Sequence, residues 1–370
     1  MKGTLAYMNI ILLVNKLTDG GAERVAALWA TGFNEAGHRV TIIIKNSTAP
    51  ISYSIPSASK IYRYDEAPSN SLKFMRVINK ARWLRNIVKN EHANVIISID
   101  PDMSLAMYLA TRGLDVPIIH TAHNAFERPE SAPMNFRTKV EKFYRNKLYS
   151  YITVLTQPDK EILQGKVKNV TVLPNPLSFI PAKQMPVKEK IVLASGRLDD
   201  WHCKGFDVLL RAWAKLGGLN VGWKLIISGG SRTGKGLEYL TTMCKELEIE
   251  DSVSFVGFQE DILSLYKKAS IYVLSSRYEG FGMVLIEAMS QGCACVVCDY
   301  KGRQRDILGR DDVGIVLEPE DEEGIASGIE RLINNESLRF TMGKAAIERS
   351  KVFNLDNIMQ KWNKIIESVL

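Results

Sequence analysis

Nothing in this sequence is long and apolar enough to cross a membrane, because its longest apolar runs fall far short of the roughly 20 residues that a spanning helix needs. A secretory leader is not read either. Asn9 splits the early apolar run Leu5–Val14, and Lys16 and Asp19-Gly20-Gly21 follow with no small-residue cleavage site, so a first strand is expected there. Cysteine is scarce: five residues, an odd count, three of them at Cys293, Cys295 and Cys298. Zinc would ask for paired C-x-x-C units or nearby histidines, and neither is present. No metal and no cofactor are therefore expected, and free thiols in a buried strand suit a reducing cytoplasm. G-x-G-x-x-G is missing after the first strand, which removes the dinucleotide fingerprint. RNP-like aromatic motifs are also missing, which argues against nucleic acid as the partner.

What is present describes a soluble α/β protein. The chain has 370 residues, 46% hydrophobic and 24% charged, enough for two domains that each bury a core. The net charge of +7 is lopsided. Residues 1–180 hold 23 Lys/Arg against 14 Asp/Glu, and residues 181–370 hold 25 against 27. The positive excess lies wholly in the first half, which points to an anionic partner there.

The chain is organised around Ser275–Gly292. Apolar runs Ile271–Leu274 and Ala294–Cys298 read as buried strands, with a helix from Met283 to about Gln291 between them, stopped by Gly292. Gly280, Phe281 and Gly282 form the helix mouth, where backbone N–H groups can approach an anion. Glu287 interrupts a helix that is otherwise apolar nearly all round, so its carboxylate needs hydrogen-bond donors, such as the hydroxyls of a ribose. A tight turn with a carboxylate bonded to its own surroundings would leave the same pattern.

Glu279 and Glu287 around Gly-Phe-Gly resemble the E-x7-E signature of the retaining glycosyltransferases of family GT4. Gly20-Gly21-Ala22-Glu23-Arg24, Gly196-Arg197-Leu198 with Lys204-Gly205-Phe206-Asp207, and Phe255-Val256-Gly257-Phe258 match motifs of that family in the same order. The resemblance implies the GT-B fold: two Rossmann-like domains facing across a cleft, residues 1–175 binding acceptor and 187–353 binding nucleotide-sugar. Residues 176–186 would link them, and a C-terminal helix, 354–370, would cross back to the first domain. It also implies roles. Arg197 and Lys204 neutralise the donor diphosphate without a metal, Glu279 holds the donor sugar and Glu287 the ribose. Gly229, Phe258 and Met283 line the donor site, His123 stands beside the transferred sugar, and Gly20 and Gly21 face the acceptor or a phosphate. A nucleotide-sugar, expected to be a UDP-sugar, is then a substrate. The acceptor expected is a lipid-linked saccharide of cell-surface polysaccharide or O-antigen assembly. Other classes stay open: a GT-B sugar-nucleotide epimerase, or a non-catalytic anion- or nucleic-acid-binding protein.

Four further stretches carry expectations. Ser71–Asn90 has six Lys/Arg, no acid and apolar residues at helical spacing. It fits a surface helix packed on the sheet or a helix lying on an anionic membrane. Arg137–Lys147 repeats the basic theme, which favours a peripheral location at the inner face of the cytoplasmic membrane. Asp100-Pro101-Asp102 reads as a helix-capping turn rather than a metal-binding D-x-D. Gly229 to Gly236 is nearly a P-loop, but Gly236 replaces the Ser/Thr that would hold magnesium, and no helix is expected to start at Lys235. Asp299–Asp306 is more basic than the family's pattern, which suggests a part in choosing the donor or acceptor.

Overall fold

The computed structural model describes residues 7–18, 20–45, 48–64, 73–99, 104–129, 133–134, 136, 139–140 and 148–370. The chain forms two compact units, Met1–Pro176 with Leu355–Leu370, and Leu177–Asn354.

The first unit is a seven-stranded parallel sheet of β1 (Asn9–Val14), β2 (Arg39–Ile44), β3 (Lys60–Arg63), β4 (Val95–Ser98), β5 (Ile118–Thr121), β6 (Tyr151–Val154) and β7 (Val170–Val172). Helices α1 (Gly21–Glu35), α2 (Lys73–Asn90), α3 (Ser104–Thr111) and α4 (Gln157–Leu163) join them. The order is β3-β2-β1-β4-β5-β6-β7. A parallel sheet covered on both faces asks for continuous apolar strands, and Ile10–Val14 in β1 is buried at every position, with Leu12 in register with Ile42 and Ile97.

The C-terminal helix, Leu355–Glu367, packs on α1. Gly32 permits this approach, since a Cβ there would lie 2.6 Å from Met359 Sδ. Trp29 of α1 meets Trp362 edge-on at 5.0 Å between rings, and both indoles are buried.

Helix α2 turns Ala81, Leu84, Ile87 and Val88 into the core and leaves Arg82 and Lys89 exposed. This is the surface-helix alternative: those four side chains are spent on the protein, so they cannot also enter a bilayer. Most of Arg137–Lys147, and all of Asp100–Asp102, lie outside the described residues.

The second unit is a six-stranded parallel sheet of β8 (Glu189–Ser195), β9 (Lys224–Ser228), β10 (Val253–Gly257), β11 (Ala269–Leu274), β12 (Ala294–Cys298) and β13 (Gly314–Leu317), in the order β10-β9-β8-β11-β12-β13. Its helices are α5 (Trp201–Lys204), α6 (Phe206–Lys215), α7 (Lys235–Glu246), α8 (Ile262–Lys268), α9 (Met283–Ser290), α10 (Arg303–Leu308), α11 (Glu322–Ile333) and α12 (Glu336–Ser350). The expectation of no helix at Lys235 is corrected: α7 begins there, after Gly234 in the left-handed conformation. The stretch expected to be a linker packs on this unit, with Leu177 N donating to the Phe353 carbonyl at 2.7 Å and Ala182 N to Ser290 at 2.8 Å. Cys293, Cys295 and Cys298 are buried free thiols in and beside β12.

Both sheets reverse their winding once, between β1 and β4 and between β8 and β11. Ligands of open α/β sheets bind beyond the carboxyl ends of the strands at such a point.

Candidate functional site

Beyond β8 and β11 the chain gathers three of the residues singled out from the sequence. Lys204 and Glu279 form an ion pair at 21 and 14% side-chain exposure, and Ser276 Oγ donates to the same Glu279 oxygen at 3.1 Å. Burial alone would lower the Lys204 pKa. The neighbouring carboxylate outweighs it, and the net shift is upward, so the ammonium is charged at neutral pH. The Lys204 stem lies against Gly196, the residue before Arg197, with its Cδ 3.1 Å from where a Cβ there would stand, so the two cations share one locale. The Arg197 guanidinium is 66% exposed and rests on Asp200 at 2.7 Å, an i,i+3 surface pair that an incoming anion can replace at little cost. Two cations thus stand beyond the carboxyl ends of the strands, each paired with a carboxylate of the chain itself.

Close backbone packing explains the glycines. A Cβ on Gly229 would lie 1.7 Å from the Gly196 carbonyl, and one on Gly205 would lie 1.9 Å from that of Ser275. The loops after β8, β9 and β11 therefore touch main chain to main chain. Gly282 caps α9 at φ 85°, a conformation that favours glycine, with Gly280 partly exposed before it and Met283 opening the helix. Phe281 faces inward, 3% exposed and edge-on to Phe353, so only its backbone is available to a ligand. Phe258 is 71% exposed beside Gly230. Glu287 is 2% exposed, and Tyr266 Oη donates to it at 3.2 Å, which supplies one donor that its burial demands.

In the basic stretch after β12, Lys301 and Arg305 are exposed while Arg303 and Gln304 between them turn inward. Arg303 is fully buried, 5.3 Å from the Tyr300 ring centroid, and Gln304 is buried with its carbonyl oxygen accepting from Tyr300 N at 2.7 Å. Both side chains build the loop. Arg305 alone of the three keeps an exposed side chain, at 60%.

In the first unit, His123 follows β5. Its Nε2 lies 3.0 Å from Thr121 Oγ1, and its ring lies 5.5 Å from that of Trp29. Burial, and secondarily the nearby His120, lower its pKa to about 3, so the ring is neutral at physiological pH. His120 is structural: it stacks on Tyr149 at 4.6 Å and contacts the Ser98 carbonyl at 3.0 Å. Gly20 and Gly21 open α1. The Gly20 amide, expected to be open to a ligand, donates to Tyr53 Oη at 3.0 Å, and that hydroxyl donates back to the Gly20 carbonyl at 2.9 Å.

Two residues escaped sequence reasoning although both lie inside quoted motifs. Arg277 Nη1 and Nη2 donate to the two oxygens of Asp207 at 2.7 and 2.8 Å, and Nη1 also reaches the His202 carbonyl at 2.6 Å. This buried fork ties the Glu279 loop to the Lys204 loop. The clue was a motif acid and a motif arginine, each beside a residue with a proposed role.

Residues 19–178 match the family Glycosyltransferase Family 4, and residues 178–349 match Glycosyl transferases group 1. A Campylobacter jejuni relative, described as GalNAc-alpha-(1->4)-GalNAc-alpha-(1->3)-diNAcBac-PP-undecaprenol alpha-1,4-N-acetyl-D-galactosaminyltransferase, is 29% identical over 98% of this chain and 99% of its own. The amylovoran biosynthesis glycosyltransferase of Erwinia amylovora is 28% identical over 97% of this chain and 99% of its own. Among solved structures, Staphylococcus aureus TarM, crystallised as a mutant with UDP, superposes with a TM-score of 0.81 at 14% identity, covering 97% of this chain and 100% of that one.

Proposed function

The chain belongs to the GT4-type glycosyltransferases of GT-B fold, and from that premise we propose a retaining, metal-independent enzyme that moves a sugar from a UDP-sugar to a hydroxyl of a lipid-linked saccharide. The observation that carries this reading is the Lys204–Glu279 pair beside Arg197 at the carboxyl ends of β8 and β11.

A nucleoside diphosphate leaves with charge developing on its phosphates, and fixed cations facing that charge lower the barrier. Arg197, on the exposed end of a surface pair, closes on the diphosphate, and Lys204 meets it from the half-buried side. The α9 N-terminus at Gly282–Met283 adds backbone amides. Glu279, released from part of its contact with Lys204, takes the hydroxyls of the donor sugar, and Glu287 uses its remaining acceptor capacity on the ribose. Neutral His123 acts as a hydrogen-bonding group beside the transferred sugar. Attack occurs on the face from which the diphosphate leaves: the acceptor oxygen bonds to the anomeric carbon as the bond from that carbon to the phosphate oxygen breaks, the hydroxyl proton passes to the departing phosphate oxygen, and the anomeric configuration is retained.

Support for the donor comes from the UDP bound to TarM. Support for the acceptor comes from the undecaprenyl-diphosphate saccharide in the name of the C. jejuni relative and from the amylovoran role of the Erwinia one. The exposed basic residues of α2, Arg82 and Lys89, suit an anionic membrane surface on which such an acceptor is held. No helix among the described residues is long and apolar enough to cross the membrane.

The test is a thermal-shift screen of UDP-, GDP-, ADP- and dTDP-sugars, followed by transfer to an undecaprenyl-diphosphate saccharide, with Arg197→Ala in parallel and EDTA present. A UDP-sugar that raises the melting temperature of the native chain but not of Arg197→Ala, with an α-linked product from an α-linked donor, is the expected result. Failure of every nucleotide-sugar to bind would overturn the proposal.

A further inference from the structure

The near-P-loop after β9 is already filled. Asp199, two residues after Arg197, projects its carboxylate into the turn 231–236. Its Oδ1 accepts from Ser231 Oγ at 2.7 Å, Thr233 Oγ1 at 2.8 Å and Gly236 N at 3.2 Å. Its Oδ2 accepts from Arg232 N at 2.6 Å and Thr233 N at 3.0 Å. Five donors on one carboxylate at the head of α7 make the arrangement with which such loops hold a phosphate, here with the anion supplied by the chain. The backbone accompanies it. Leu198 N donates to the Gly230 carbonyl at 3.0 Å, and a Cβ on Gly236 would come within 2.2 Å of the Leu198 carbonyl. The residue that departs from the magnesium-binding pattern is the one that makes room for Leu198 and Asp199.

Arg197 sits between two clamped points: Gly196, against which Gly229 packs, and the Leu198-Asp199 segment. We infer that Asp199 is a positioning residue for donor binding: its carboxylate occupies the anion cradle of the 231–236 turn and so holds Arg197 where a diphosphate can meet it. The turn is thereby unavailable to the donor phosphates, which are left to Arg197, Lys204 and the α9 N-terminus. This rests on the donor-site reading above.

The experiment removes the carboxylate and returns it from solution. Asp199→Ala should raise the donor KM about tenfold and, because Arg197 also faces the charge that develops on the leaving phosphates, lower kcat about tenfold, while the acceptor KM stays within about twofold, a pattern that general loss of structure does not produce. Sodium formate at roughly 100 mM should restore the KM and raise the melting temperature of Asp199→Ala, whereas sodium chloride at the same ionic strength should do neither. Asp199→Asn keeps the shape without the charge and should show the same KM defect; it carries the test if the alanine variant does not fold. A donor KM within twofold of the native value in both variants, or equal rescue by chloride, would overturn the inference. If the native chain binds no nucleotide-sugar, the donor reading has failed instead, and the formate-dependent melting of Asp199→Ala still decides whether the cradle takes a carboxylate.

Discussion

Replacing Arg277 with leucine should destabilise the second unit by about 3 kcal/mol. Asp207 is 7% exposed, and Arg277 provides its two shortest hydrogen bonds. Burial by itself would raise the Asp207 pKa, but Arg277 and then Arg211 hold it below the usual carboxylate range, so the group is charged at neutral pH. Breaking a buried pair by removing one partner costs about 3 to 5 kcal/mol, because the other charge is stranded. The lower end applies here, since Arg211 remains 3.3 Å from Asp207 at 38% exposure and offsets roughly 1 kcal/mol. The Arg277 contact to Glu320, whose side chain is 62% exposed, adds little. With a urea m-value of about 2 kcal/mol/M for a unit of this size, the midpoint should fall by about 1.5 M. Urea unfolding followed by tryptophan fluorescence reads this out, because Trp213 is buried in the same unit. Arg277→Leu combined with Asp207→Leu should recover most of the loss, since a like-sized apolar pair leaves no buried charge. A midpoint shift below about 0.3 M for the single variant, or strictly additive losses in the double variant, would refute the reasoning.

Two further outcomes are expected. Glu91 is 4% exposed and accepts from Tyr62 Oη at 2.6 Å and Lys60 Nζ at 2.9 Å; burial opposes its charge, but these donors and Arg39 win and depress its pKa. A depressed folded-state pKa contributes stability that is present above the unfolded value of 4.5 and is lost as pH falls through the folded one. Chemical denaturation from pH 7 to 3 should therefore show Glu91→Gln losing about 2 kcal/mol at pH 7 and converging on the native chain at the acid end; a constant difference would refute it. With the His123 pKa at about 3, transfer rates of the native chain and of His123→Gln should differ by a constant factor, about a hundredfold, between pH 6 and 8. A native rate limb near pH 6.5 that vanishes in the variant would show that His123 does titrate in that range.

The sheets were legible because parallel strands buried on both faces must be apolar along their length: Ile10–Val14 and Ala294–Cys298 read as strands by composition alone and are strands. The mouth of α9 was legible because Gly282 needs a left-handed backbone there. Pairings made across long loops were not. Nothing local to Arg277 announces Asp207 seventy residues earlier, and nothing near Asp199 announces the turn it fills more than thirty residues on. Gly236 obscured α7, since a glycine at the second helical position reads as a breaker when its real role is to admit another segment of main chain. Helix α2 shows the same limit from the other side. Its amphipathic pattern stated that one face would be covered, and only the fold shows that α3 and the protein core cover it.

The C-terminal helix gives the first unit a peculiar birth order. Trp29 is made more than three hundred residues before its partner Trp362, and the whole second unit is synthesised between them. Until then the face of α1 around Trp29 and Gly32 is uncovered, and the nascent chain carries an unfinished apolar surface for more than three hundred residues of translation. The second unit, contiguous in sequence from Leu177 to Asn354, needs no such wait and can close first. A chain cut just before Leu355 would hold every residue of the second unit and a first unit whose α1 face is still uncovered, open to proteases and chaperones.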